Sequence, residues 1–278
     1  MTSFGVRAGR VRAVPRVLTL LVTVLLSTHL ENAVAQNAEE LAEQAQNPIA
    51  DLISLPFQNN TNFNVGRLGN DQNTLNIQPV VPFRLNEDWN LITRSILPVV
   101  YQPALSEGDS SDFGIGDFNP SLFFATSLPG GVTLGFGPAF VFPTATDARL
   151  GSEKWSAGPT AVAVVTSGPW VYGALASNVW SFAGESSRSD VNQFLLQYFV
   201  NYNLPGGWYF VSAPIITADW IRDEGDQWVL PVGGGVGRVF NVGMQPVNMS
   251  LQAYDNVITT EGGADWQLRF QVQLLFPK

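Results

Sequence analysis

The 278-residue sequence has no cysteine, one histidine and two lysines. The absence of cysteine excludes disulfides and thiolate chemistry. The histidine, His29, falls in an N-terminal stretch expected to be removed. What remains lacks the commonest general base and the commonest transition-metal ligands. Charged residues are scarce at 13%, whereas aromatics make up 12%. Beyond the N-terminus no run of 18 apolar residues occurs, so no transmembrane helix is expected there.

Arg7, Arg10, Arg12 and Arg16 precede an apolar stretch from Val17 to Leu30 and the small-residue site Ala33-Val34-Ala35. Together they predict a secretory signal peptide over residues 1–35; a retained membrane anchor is the alternative. Its removal leaves 10 basic and 22 acidic residues, a net charge of about −12. That balance argues against nucleic acid as a partner.

Residues 36–52 hold a short helical pattern from Glu39 to Gln46, ending before Pro48. This segment is expected to be a periplasmic arm or a plug. From residue 53 to 278 twelve strand-like runs follow. They lie near 53–65, 74–86, 89–101, 113–127, 132–143, 155–166, 170–181, 190–203, 208–219, 228–240, 245–255 and 266–276. Links from even to odd strands are tight: Glu87-Asp88, two "LPGG" stretches, "SGP" and Asn241 to Met244. Links from odd to even strands are longer and polar. In an antiparallel meander this puts all short turns at one end, as in an outer-membrane barrel.

The last run, "WQLRFQVQLLFPK", alternates Leu268, Phe270, Val272, Leu274 and Phe276 with Gln267, Arg269, Gln271 and Gln273. Runs two, eight and eleven alternate likewise; runs six, seven and ten are Gly/Ala/Val-rich and assign no face. A soluble lipocalin-like barrel would carry the same stripes turned inside out. Lipid outside is favoured because the polar stripe is mainly amides and hydroxyls rather than Lys and Glu. The tryptophans agree. Trp89, Trp170 and Trp208 follow short turns, and Trp155, Trp180, Trp220, Trp228 and Trp266 flank long loops, as two membrane-interface girdles would. The expected fold is therefore all-β: a closed antiparallel up-and-down transmembrane β-barrel of about 12 strands. In-strand prolines at 79, 98, 120, 138, 214 and 231 are expected to mark bulges or bends.

"NPIADLISLPFQNN", "LNIQPVVPFRLNEDWNLITRSILPVVYQP", "GFGPAFVFPTATDARLGSEKWSAGPTAV", "GPWVYGALASNVWSFAGE" and "LRFQVQLLFPK" together resemble a family of bacterial outer-membrane transporters. The family is similar to the phenol meta-pathway outer-membrane proteins, and some members carry the unsuited name neuromedin U. The resemblance implies a Gram-negative outer-membrane barrel with a transport role, and it brings no catalytic residues.

If the polar face lines the lumen, parity projects Arg84, Arg94, Asp117, Gln193, Gln197, Asn201 and Arg269 inward. A charged constriction that selects solutes is one reading; a self-neutralising network that blocks the lumen is the other. The leading function is a passive, porin-like channel for small solutes, aromatic or hydrophobic in the reading the resemblance favours. The alternatives are a plugged structural or adhesion barrel acting through acidic external loops, and a lipid-modifying enzyme, which the loss of histidine weakens. Expected partners are outer-membrane lipid, a small-molecule solute and, through the C-terminal strand, the assembly machinery. No cofactor or metal is expected. Glu107/Asp109/Asp112 and Asp223/Glu224/Asp226 match no calcium loop, and Gly233-Gly234-Gly235 has no helix to complete a phosphate loop.

Overall fold

Hydrocarbon offers no partner for a peptide N–H or C=O, so strands cross it only when every edge is paired. The computed structural model describes residues 38–277; the expected signal peptide lies outside them. Within them, twelve antiparallel strands pair in sequence order and the last returns to the first. They are β1 (Ile53–Val65), β2 (Asn70–Ile77 and Val80–Arg84), β3 (Trp89–Gln102), β4 (Asp112–Ile115 and Asn119–Leu128), β5 (Val132–Val141) and β6 (Lys154–Ser167). Then come β7 (Trp170–Gly184), β8 (Asn192–Asn203), β9 (Trp208–Ser212 and Ile215–Asp219), β10 (Trp228–Val242), β11 (Gln245–Ile258) and β12 (Trp266–Phe276). The closing seam runs from Ile53 opposite Phe276 to Phe63 opposite Trp266. Helix α1, residues 38–46, precedes the barrel. No helix among the described residues is long and apolar enough to cross a membrane.

The orientation follows from what is buried. Phe136, Phe210, Leu251 and Phe270 are exposed, while Gln58, Asn60, Gln252, Arg269 and Gln273 are buried. A water-soluble protein distributes these residues the other way round. An apolar exterior and a polar interior are what a membrane barrel requires. Some polar side chains do face outward on β1 and β2. Asn59 and Asn73 bond each other reciprocally at 2.8 and 3.0 Å, and Asn73 Nδ2 also donates to Thr61 Oγ1 at 3.0 Å. Their amides satisfy one another where lipid cannot.

Two details differ from the sequence reading. β2 begins at Asn70 rather than near 74, so the first long loop is only residues 66–69. The in-strand prolines also act unequally. Pro79 and Pro214 interrupt β2 and β9 without moving the register: Ile77 opposes Leu97 and Val80 opposes Arg94, and Ser212 and Ile215 keep one frame against β8. Pro79 lacks one ladder donor, and beside Pro214 the Ala213 N–H and C=O also bond side chains rather than the ladder. At Pro231 the register of β10 against β11 does shift, as expected, whereas the slip in β4 comes at Gly116-Asp117-Phe118. Val99 opposes Ile115 but Ile96 opposes Asn119, a one-residue bulge.

Both LPGG turns use glycine for the same reason. Gly131 and Gly207 both sit at φ 75°, where a Cβ would come within 2.2 Å of Thr166 O and 2.3 Å of Val239 O respectively. A side chain there would meet the neighbouring strand's backbone.

Leu251 lies mid-strand on the outer face. Leu251→Arg should lower the free energy of refolding into phospholipid vesicles by about 2–4 kcal/mol, measured by urea titration. A loss below about 0.5 kcal/mol would contradict a lipid-facing position.

Candidate transport lumen

The inward faces of the strands form two unlike walls. On β12, β1, β2 and β3 the side chains are amides bonded from strand to strand. Gln267 Nε2 donates to Asn62 Oδ1 (2.8 Å), Asn62 Nδ2 to Gln72 Oε1 (2.9 Å) and Gln72 Nε2 to Gln102 Oε1 (2.6 Å). On β11, Asn248 accepts from Tyr209 (2.6 Å) and donates to Gln273 (3.0 Å). On β4 to β7 the inward side chains are largely apolar, joined by Ile92 of β3 and Phe199 of β8. Ile92, Phe123, Val162, Val164, Val171 and Phe199 belong to one buried cluster. Of these, β6 and β7 gave no face assignment from sequence because apolar residues lie on both of their faces.

The N-terminal segment enters the barrel. Leu41 and Ala42 of α1, with Leu52, pack against the inward-facing Tyr209, Val211, Val239 and Leu275. Ile49 joins the apolar cluster on the opposite wall. Gln46 Nε2 donates to Asn203 Oδ1 (2.7 Å), and Glu39 Oε1 accepts from the Gly206 amide (3.3 Å) in the β8–β9 turn. The segment therefore fills the end of the lumen that carries the short turns.

Above it lie two cavities of about 630 and 410 Å³; beside it lie two more of about 140 and 370 Å³. The 630 and 140 Å³ cavities share Gln58, Gln78, Arg94 and Gln197. These four side chains form a neck between the space that opens to the long loops and the space beside the segment.

The structure distributes the expected lumen residues over different roles. Arg94 and Gln197 are at the neck. Gln193 lines the 630 Å³ cavity further out, and Asn201 lines the 140 Å³ cavity, its Nδ2 bonded to Val171 O at 3.1 Å. Arg269 borders the 140 and 410 Å³ cavities but is 3% exposed. It donates to Asn60 (3.1 Å), Gln267 (3.1 Å) and Ala213 O (2.8 Å), with its guanidinium 5.0 Å from the Tyr254 ring centre. Tyr254 in turn accepts from the Ala213 amide at 2.9 Å. The two side chains replace the ladder partners missing beside Pro214, so Arg269 holds the wall together.

Asp117 and Arg84 are not at the neck. The β4 bulge turns Asp117 to the β5–β6 loop, where it accepts from the amides of Ala145 (3.2 Å) and Ser152 (2.7 Å) and from Ser152 Oγ (2.8 Å). Arg84 is exposed at the short-turn end, where Nε donates to Asn86 O at 3.2 Å. Gln58 and Gln78 belong to the neck unanticipated. The alternation of β2 places Gln78 on the polar face, but β1 has amides on both faces and hides Gln58.

Of the acidic loop clusters, Asp112 pairs with Arg149 (2.8 Å), Asp226 pairs with Arg222, and Asp109 accepts from the Ser106 amide (2.9 Å). No metal-binding group of side chains occurs among the described residues. Seven of the eight tryptophans stand at or beside strand ends, Trp180 lies four residues inside the end of β7, and Trp170, Trp180 and Trp208 are exposed.

No protein-family model and no curated protein matches the chain. Solved structures match its fold. An outer membrane channel from Pseudomonas putida F1 aligns over 81% of this chain and 94% of its own, with a TM-score of 0.62 and 17% identity. An outer membrane phospholipase from Salmonella typhi, a dimer with bound calcium, aligns over 88% of this chain and 97% of its own, with a TM-score of 0.43 and 14% identity. The fold is thus one found in outer-membrane channels, and its apolar exterior makes it a barrel of the membrane.

Arg269→Gln should destabilise the barrel by roughly 2–4 kcal/mol, because it leaves buried acceptors unpaired; Arg94→Gln should cost less than about 1 kcal/mol. Urea titration of both variants in vesicles checks this ranking. The segment should also respond to pH. Burial, then repulsion from Glu40 and Glu39, raises the Glu43 carboxyl above its ordinary range. The docked state thus holds this proton more tightly than the unfolded one. Docking is firmest below the ordinary carboxylate value and weakens as pH rises through the raised one. Amide protection over residues 38–46 should fall as pH rises above the ordinary carboxylate value, with a flatter profile in Glu43→Gln.

Proposed function

We propose that the barrel is a passive outer-membrane channel for small solutes, and that it is not an enzyme. The neck of Gln58, Gln78, Arg94 and Gln197 between two lumen cavities is the observation that supports this reading. Rings of such side chains set selectivity in pores by replacing part of a solute's hydration. The apolar wall beside the neck suits a solute with an aromatic or aliphatic body, in keeping with the resemblance to transporters of aromatic-compound pathways. α1 and the residues after it narrow the exit and act as a plug that moves or leaves a path alongside. Outer-membrane lipid surrounds the barrel, and the assembly machinery reads β12.

The adhesion reading is weaker because Asp112 and Asp226 are engaged by Arg149 and Arg222 rather than offered outward. A hydrolytic reading would need a base, and the described residues contain no histidine.

Planar-bilayer recording of the refolded mature chain in potassium chloride should give discrete conductance steps. Silence over many insertions, from barrels shown by urea titration to be folded, would contradict the channel reading.

A further inference from the structure

Arg94 and Arg269 are alike in sequence and unlike in place. Arg269 bonds protein acceptors through all three of its nitrogens. Among the described residues Arg94 makes one hydrogen bond, Nη2 to Gln78 Oε1 at 3.0 Å, and none of the ion pairs includes it. The side chain lines both cavities at the neck they share. A guanidinium in a confined site with spare donors and no carboxylate beside it wants an anion, and its planar fork matches a carboxylate.

The rest of the 630 Å³ cavity narrows the class of anion. Beside Arg94 and its amide neighbours, Ile96, Phe123, Leu175, Val179 and Leu195 line the same cavity. An inorganic anion would leave that wall in contact with water, whereas a solute with an apolar body would cover it. The volume lies within the range of small-molecule sites, which pair apolar walls with a few placed polar groups. Asp219 and Arg222 also line this cavity, and Arg222 pairs with Asp226. The Asp219 carboxylate accepts from the Ile221 amide at 3.2 Å, in the β9–β10 loop at the outer end. The negative charge thus stands at the mouth and the unpaired positive charge at the neck.

Resting on the channel reading, we infer that the solute class is small amphipathic carboxylates. The carboxylate docks on Arg94, with Gln58, Gln78 and Gln197 around it, and the apolar body lies against Phe123, Leu175 and Leu195. Arg94 is then the specificity-determining residue of the lumen and Arg269 is a positioning residue of the wall.

The test uses benzoate and its neutral isostere benzamide on the full mature chain in detergent. Equilibrium dialysis should show saturable benzoate binding, at least about fivefold tighter than benzamide. Arg94→Gln should bring the two within about twofold, and Arg94→Lys should keep part of the preference. Arg84→Gln, which removes the same charge at the rim, should leave it intact. In bilayers, benzoate should interrupt the wild-type current at lower concentration than it does in Arg94→Gln. The inference is overturned by equal binding of the two probes, by no saturable benzoate binding up to about 20 mM, or by a preference that survives Arg94→Gln or falls equally in Arg84→Gln. Should Arg94→Gln not fold, the wild-type comparison of benzoate with benzamide decides. A barrel that conducts potassium chloride without preferring benzoate keeps the channel reading and loses this one. A silent barrel that still binds benzoate through Arg94 does the reverse.

Discussion

The closing seam between β1 and β12 is the constraint on which the rest depends. Eleven residue pairs, from Ile53–Phe276 to Phe63–Trp266, remove the last free edge. Without that seam, two rows of peptide groups would stand unpaired in hydrocarbon, each costing several kcal/mol by order of magnitude. Closure also divides the side chains. On every strand one set must meet lipid and the other must fill a lumen, so the choice of inward residues becomes the choice of function.

That lumen is neither an open pore nor a dry core. A barrel of this strand number lies between those filled by side chains and those with wide aqueous channels. The chain resolves the intermediate case by filling one half and leaving the other. Near the short turns, Leu41, Ala42, Ile49 and Leu52 bring a separate apolar surface inside and bury it against both walls. Toward the long loops, cavities remain. Between these halves one arginine is spent on the wall and the other is left facing the space. Arg269 compensates for the ladder bonds missing beside Pro214; Arg94 compensates for nothing on its own strand, since β3 is fully paired on both sides there.

Much of the fold was legible because lipid enforces a strict period of two. In β8, β11 and β12 that period is readable, and Val200, Leu251, Phe270 and Phe276, read from it as outward, are exposed. It failed in β6 and β7, where Val162, Val164 and Val171 face inward as apolar residues. There the lumen needs the same chemistry as the membrane, and no alternation survives. It failed again in β1, because Asn59 is an outward amide satisfied by Asn73 across the sheet, a partnership with no local signature. The proline at 79 looked like a threat to register and proved harmless, whereas the slip fell at Gly116-Asp117-Phe118. That slip turned Asp117 away from the lumen toward a loop 28 to 35 residues further along the chain. The difference between Arg94 and Arg269 was also out of reach. It depends on Ala213 and Asn60, residues brought to Arg269 only by barrel closure.

The absence of cysteine makes the orientation directly measurable. Single cysteines at Gln197 and at its neighbour Leu196, in the refolded mature chain in vesicles, should be modified by opposite reagents. The account requires Gln197→Cys to react with a small membrane-impermeant thiosulfonate and Leu196→Cys to react only with a lipid-soluble maleimide. The reverse pattern would put the amides outside and the leucine in the lumen, and would contradict it.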